Sequence, residues 1–158
     1  MSVAFTKEGD SEAAAADLPD RPISPHPNLV TASGLARLEA DLAAARAAYA
    51  AAQKGDVAAD RTAMARATRD LRYYNARRAT AQQVEPPADP EAVRFGCTVT
   101  FEREDGRRQT YRIVGEDEAD PAAGSVSYIS PLARSLLGKA VGETAILAGA
   151  EVEIIMIE

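Results

Sequence analysis

From residue 31 onward, apolar side chains recur at alternating spacings of three and four: Leu35, Leu38, Leu42, Ala45, Tyr49 and Ala52. That spacing keeps one apolar seam along a helix, and Thr31 ahead of it is a suitable N-cap. Gly55-Asp56 interrupts the run. A second seam follows through Met64, Ala67, Leu71, Tyr74, Arg78 and Ala81, stopping before the Pro86-Pro87 pair. A turn near residue 56 sets Leu38 against Tyr74, Leu42 against Leu71, Ala45 against Ala67 and Tyr49 against Met64, each pair with nearly the same sum of positions. The pattern therefore predicts an antiparallel helical hairpin, a short coiled coil over residues 28–84. Alanine meets alanine at mid-seam, so the helices approach closely there but bury little area, and bulky pairs toward the base carry the stability.

Residues 85–91 form a proline-rich linker, after which the hydrophobic period switches from helical to alternating. Residues 95–101 read as a strand, 104–106 as a turn and 109–114 as a second strand closing a hairpin. A short strand over 126–129 leads to Ser130-Pro131, a serine cap with proline in the first helical position, followed by Leu132, Ala133, Leu136 and Leu137 and ended by Gly138. Strands at 144–147 and 152–157 complete the set. The fold class is α+β: the N-terminal antiparallel hairpin, then a small domain of antiparallel sheet plus one helix over residues 92–158. Residues 1–27 are acidic and then proline-rich, with Pro22, Pro25 and Pro27 close together, and read as a flexible leader ending in an extended strap against the hairpin base. His26, between two prolines, is expected to be structural or solvent-facing.

Charge divides the chain into three parts. Residues 1–30 hold two basic and five acidic side chains, residues 31–84 nine and five, and residues 85–158 seven and fourteen, within a net charge of −6. An acidic C-terminal domain is a poor match for a phosphate backbone, so protein partners are favoured, with nucleic acid reached only indirectly. Arg61, Arg66, Arg69 and Arg72, continued by Arg77 and Arg78, make the second helix a basic arm whose alternative reading is a solvated face with acidic neighbours such as Asp41 and Asp70. Arg78 falls on the seam, from which its guanidinium is expected to reach the acidic loop of the C-terminal domain. No apolar run approaches membrane-spanning length and the N-terminus lacks a secretory apolar block, so a cytoplasmic protein without membrane partners is expected. A single cysteine, Cys97, and a single histidine leave no disulfide, metal cluster or nucleophile–base pair, so no cofactor of its own and no independent enzymatic activity are expected. Glu116-Asp117-Glu118-Ala119-Asp120 is rich in carboxylates but lacks the glycine and terminal glutamate spacing of an EF-hand loop, and reads as a solvated turn or contact surface.

Gln109-Thr110-Tyr111-Arg112-Ile113-Val114-Gly115, that acidic loop, Ser130-Pro131-Leu132-Ala133-Arg134 and Leu137-Gly138-Lys139 follow one another in an order that resembles the C-terminal domain of the GreA/GreB family of bacterial transcription elongation factors. The resemblance covers residues 28–158. It implies an FKBP-like topology for the C-terminal domain, without isomerase activity. It further implies docking of that domain on RNA polymerase near the secondary channel, with Ile129, Ser130, Pro131 and Leu132 meeting the channel rim. The hairpin would enter the channel, where the basic arm suits acidic groups around the catalytic metals. Acidic tip residues in the family help hold a Mg2+ ion and water in the polymerase's own active site, which then cleaves backtracked RNA. A member is thus an accessory factor, here expected to act as a monomer.

The tip departs from the family's form. Asp56 matches its first carboxylate, but Ala59 stands where the family has a glutamate, and Asp60 lies one residue later, a swing of about 100° on a helix. Asp56 and Asp60 are the candidate tip carboxylates; equally, Asp56 suits an N-cap and Asp60 the first turn of the second helix. The first arm is about two turns short of the family norm, withdrawing the tip by roughly 10 Å. These residues leave open whether transcript cleavage is stimulated. Two other readings remain: a non-cleaving, short-hairpin regulator resembling the nucleoside diphosphate kinase regulator branch, and a plain protein-interaction module.

Overall fold

The computed structural model describes residues 18–55 and 57–158, with the side chains of residues 57–60 outside the description. Two compact units result. One contains Arg37–Thr80 and the described residues up to His26; the other contains Pro27–Ala36 and Ala81–Glu158.

The first unit is built on α1 (Ala32–Lys54) and α2 (Val57–Thr80). Leu38, Leu42, Ala45 and Ala52 are buried from α1 and Ala67 from α2, while Met64, Leu71 and Tyr74 are half-buried. The seam anticipated from the heptads therefore forms. Its alanine-rich middle leaves a groove of about 240 Å³ lined by Asp41, Ala44, Ala45, Ala48, Ala67, Asp70 and Tyr74, because methyl groups do not fill the space between the helices. One seam position shifts: Arg77 is buried and Arg78 is exposed. A straight helix turns in 3.6 residues, so a strict three–four alternation drifts, and the step after Tyr74 is three rather than four. Arg78 instead pairs with Glu39 of α1 at 3.0 Å. Residues 18–26 have no regular secondary structure and follow α2, where Arg21 places its guanidinium 3.8 Å above the Tyr73 ring.

The second unit holds a five-stranded sheet of order β5-β4-β3-β7-β6, with β3 (Thr98–Arg103), β4 (Arg108–Val114), β5 (Ser125–Ser127), β6 (Thr144–Leu147) and β7 (Ala150–Ile157). Period-two alternation sends Val99, Phe101, Ile113, Ala145, Leu147, Val152 and Ile154 to one face. There they pack with Val93, Val126 and two residues of α3 (Pro131–Leu136), Ala133 and Leu136. On β3 and β4, Thr100 and Thr110 face each other away from this core and share a hydroxyl hydrogen bond of 2.9 Å. β3 pairs antiparallel with β4, as the hairpin reading anticipated, and also with β7, which pairs antiparallel with β6.

Three local features differ from the sequence reading. β3 starts at Thr98 rather than at residue 95, because Gly96 has a φ of 87° and turns the chain before the ladder begins. β5 runs parallel to β4, so the sheet is antiparallel except at this edge. The connection over residues 115–124, which includes a 3-10 turn at Pro121–Ala123, is long enough to carry the chain back before β5 starts, which a tight hairpin could not do. Finally, β1 (Leu29–Val30) and β2 (Gln82–Gln83) form a two-residue parallel ladder that no periodicity announces. The amides of Gln82 and Val84 donate to the Asn28 and Val30 carbonyls at 2.9 and 3.0 Å, and the Tyr128 hydroxyl donates to the Pro27 carbonyl at 2.6 Å.

Candidate functional site

The corner at residues 129–132 is rigid for local reasons. Ser130 is extended, with φ −64° and ψ 151°, and its Oγ accepts from the Ala133 amide at 3.2 Å, while its own amide donates to the Ser127 carbonyl at 2.9 Å. Pro131 occupies the first helical position, where its missing N–H removes no helical hydrogen bond and its ring is pre-set to the helical φ. The helix then divides its residues by periodicity: Ala133 and Leu136 enter the core, Pro131 is exposed, and Ile129 and Leu132 are half-buried. Pro131 and Leu132 line a mainly apolar groove of about 300 Å³ with Ser135, Leu147, Ala148 and Arg103. Arg103 is itself held by donation from Nε to Gln109 Oε1 at 2.6 Å. Chemically this is a fixed apolar ledge with a cation at its edge, suited to a protein surface rather than to a reaction. The sequence signalled Ser130, Pro131 and Leu132; the contributions of Arg103 and Leu147 from strands, and of Ala148 from the turn after β6, were not anticipated.

The four basic-arm residues do not share one environment. Arg61 and Arg66 are exposed. Arg69 lies 3.4 Å from the neighbouring Asp70, and Arg72 pairs with Asp20 at 3.2 Å. Of the tip carboxylates, Asp56 lies outside the described residues, and Asp60 stands in the first turn of α2 with its side chain outside them. Among the described residues, no group of three or more His, Cys, Asp or Glu side chains is arranged to hold a metal ion, and no helix is long and apolar enough to cross a membrane.

The acidic loop is a structural latch rather than a solvated turn. Glu118 accepts hydrogen bonds at 2.6 Å from both the Thr31 and Ser33 hydroxyls at the start of α1, and Arg112 stands 3.8 Å from the same carboxylate and donates to Ser33 at 3.2 Å. Thr31 Oγ1 also accepts from the Gly34 amide at 3.0 Å, so the helix cap and the latch share one hydroxyl. Hydrogen bonds to a charged acceptor are among the stronger ones. Glu118→Ala is expected to cost about 1.5 kcal/mol and to loosen the first turn of α1. Chemical denaturation of the full chain checks the first effect, and amide exchange at Gly34 and Leu35 the second.

Residues 88–158 match the family model described as "Transcription elongation factor, GreA/GreB, C-term". A transcription elongation factor GreA of Desulfovibrio desulfuricans is 38% identical over 122 residues, covering 76% of this chain and 70% of that relative. A GreB of Neisseria meningitidis serogroup B is 37% identical over 112 residues, 67% of this chain and 69% of the relative. A GreB of Pseudomonas aeruginosa reaches 56% identity over 55 residues, 35% of this chain and 33% of the relative. Among solved structures, GreA factor homolog 1 of Thermus thermophilus is similar at 21% identity, covering 84% of this chain and 99% of that chain with a TM-score of 0.40.

Proposed function

The chain belongs to the GreA/GreB family of transcription elongation factors, and on that premise we propose that it binds RNA polymerase through its C-terminal unit and modulates elongation from the secondary channel without supplying the usual pair of tip carboxylates. It is an accessory factor in this reading, and any Mg2+ involved belongs to the polymerase's active site. The observation that best supports docking is the Ser130-Pro131-Leu132 corner, where a capped proline and a half-buried leucine stand on an apolar groove that the domain's own core does not fill. Arg61 and Arg66, exposed near the hairpin tip, suit an approach to an acidic channel wall.

Cleavage depends on the tip. Metal-assisted hydrolysis needs oxygen ligands at defined distances around the ion, and Ala59 in place of a glutamate removes one of them. A transcript-cleavage assay on backtracked elongation complexes, run beside a polymerase pull-down, tests both halves. The expected result is binding with cleavage no faster than polymerase alone, unchanged in an Asp56→Ala/Asp60→Ala double variant. Cleavage that vanishes in the double variant would overturn the non-cleaving reading.

A further inference from the structure

We propose that residues 18–26 are a displaceable strap that holds Arg72, on the arginine-rich α2, in an internal ion pair and so withholds it from an acidic partner. The inference rests on the proposed function in one respect, that this helix is the part of the hairpin which meets an acidic surface of the polymerase. Everything else follows from how the segment is held.

Two consecutive residues, Asp20 and Arg21, hold the strap to α2. Asp20 pairs with Arg72 at 3.2 Å, and Arg21 pairs with Asp70 at 3.4 Å. The Arg21 guanidinium also stands 3.8 Å from the centroid of the Tyr73 ring and 5.2 Å from that of Tyr74. Asp70, Tyr73 and Tyr74 are spaced by three and four, so Arg21 grips one face of the helix. Asp20 meanwhile occupies the cationic head of Arg72, the group that an acidic partner would use. Asp20 thus carries the same charge as the partner it would exclude.

The grip is built to be reversible. Pro22 and Pro25 remove backbone donors and hold the segment extended, so no helix or sheet ladder ties it down. Ile23 is exposed, so apolar burial at that position does not anchor the segment. The Asp20–Arg72 pair is about two-thirds exposed on both sides, and such pairs contribute little and weaken with salt. What remains is the hold of one arginine, its ion pair with Asp70 and its cation–π contact with Tyr73. An anionic surface of higher charge density can therefore compete for Arg72 and lift the segment, while the covalent tether returns it when that surface leaves.

Substitution of Arg21 by alanine separates this device from simple electrostatics. It makes the chain more negative, which alone would weaken binding to an acidic surface, whereas release of the strap frees the Arg72 guanidinium from Asp20 and strengthens it. With a closed-to-open ratio of about five, the variant is expected to bind core RNA polymerase about sixfold more tightly than its parent. In the free protein, the Tyr73 ring resonances of the parent should shift toward those of Arg21→Ala as NaCl rises, and those of the variant should stay in place. Equal or weaker polymerase binding by the variant would overturn the regulatory role while leaving the docking reading intact. Ring resonances indifferent to salt would overturn displacement. Absence of binding by both forms would remove the polymerase reading, and the regulation with it.

Discussion

Replacing Gly115 with alanine is expected to destabilise the C-terminal unit by about 3 kcal/mol, at the upper end of what overpacking a tight site costs. Gly115 follows β4, and a methyl group built there runs into the backbone carbonyl of Leu29. The obstacle is main chain and cannot rotate away. Leu29 belongs to β1, whose pairing with β2 is only two residues long. The segment around it is further fixed by the Tyr128 hydroxyl on Pro27 and by the Glu118 latch on Thr31. Movement of Leu29 would therefore strain several hydrogen bonds at once. Gly106, in the open turn between β3 and β4, gives the contrast: its φ is 83°, and a methyl group there meets nothing within 4 Å. Alanine at position 106 should cost only the left-handed backbone penalty of about 1 kcal/mol. Urea denaturation of the two variants measures the difference. Equal midpoints would mean that the close approach of Leu29 to Gly115 contributes nothing to stability.

The same pair of glycines illustrates what could be read before the structure. Gly106 follows Glu104-Asp105 between two alternating runs, so its turn was legible from local sequence. Gly115 also follows a strand, yet its reason is a carbonyl 86 positions earlier in the chain, which leaves no local trace. The strands at 144–147 and 109–114 and the helix after Ser130 were legible because alternation, capping and proline placement are short-range effects. Glu118 was visible as an acid but not as a latch, because its partners Thr31 and Ser33 lie 87 and 85 residues away. The ladder of β1 with β2 is too short to impose a period. β5 was found as a strand, but its direction was set by the connection before it, and strand composition does not encode direction. In the hairpin, the heptads gave the seam, while the choice between Arg77 and Arg78 depended on helical drift over the last turns. At the corner, the cap and proline were local signals, whereas the groove beside them needed β3 and the turn after β6 to be folded.

That corner carries the second large effect. Pro131→Glu is expected to leave folding stability within about 0.5 kcal/mol and to weaken polymerase binding at least thirtyfold, the size of one interface hot spot. The side chain is exposed at the first position of α3, so its replacement opens no cavity in the core. A carboxylate there faces the positive end of the helix, which offsets part of the conformational freedom gained when proline is lost. Ser130 keeps its bond to the Ala133 amide, so the cap survives. The change thus acts on the surface alone, placing a charge on the ledge formed by Pro131 and Leu132, where docking would have to desolvate it without a partner. Arg103 lines the same groove, with its Nε held by Gln109. Thermal unfolding and a binding titration on the same preparation separate the two quantities. A variant as stable as its parent that binds polymerase with undiminished affinity would place the docking contact elsewhere on the C-terminal unit. A stable variant that no longer binds would tie the interaction to this corner, because the substitution alters little else that a partner could sense.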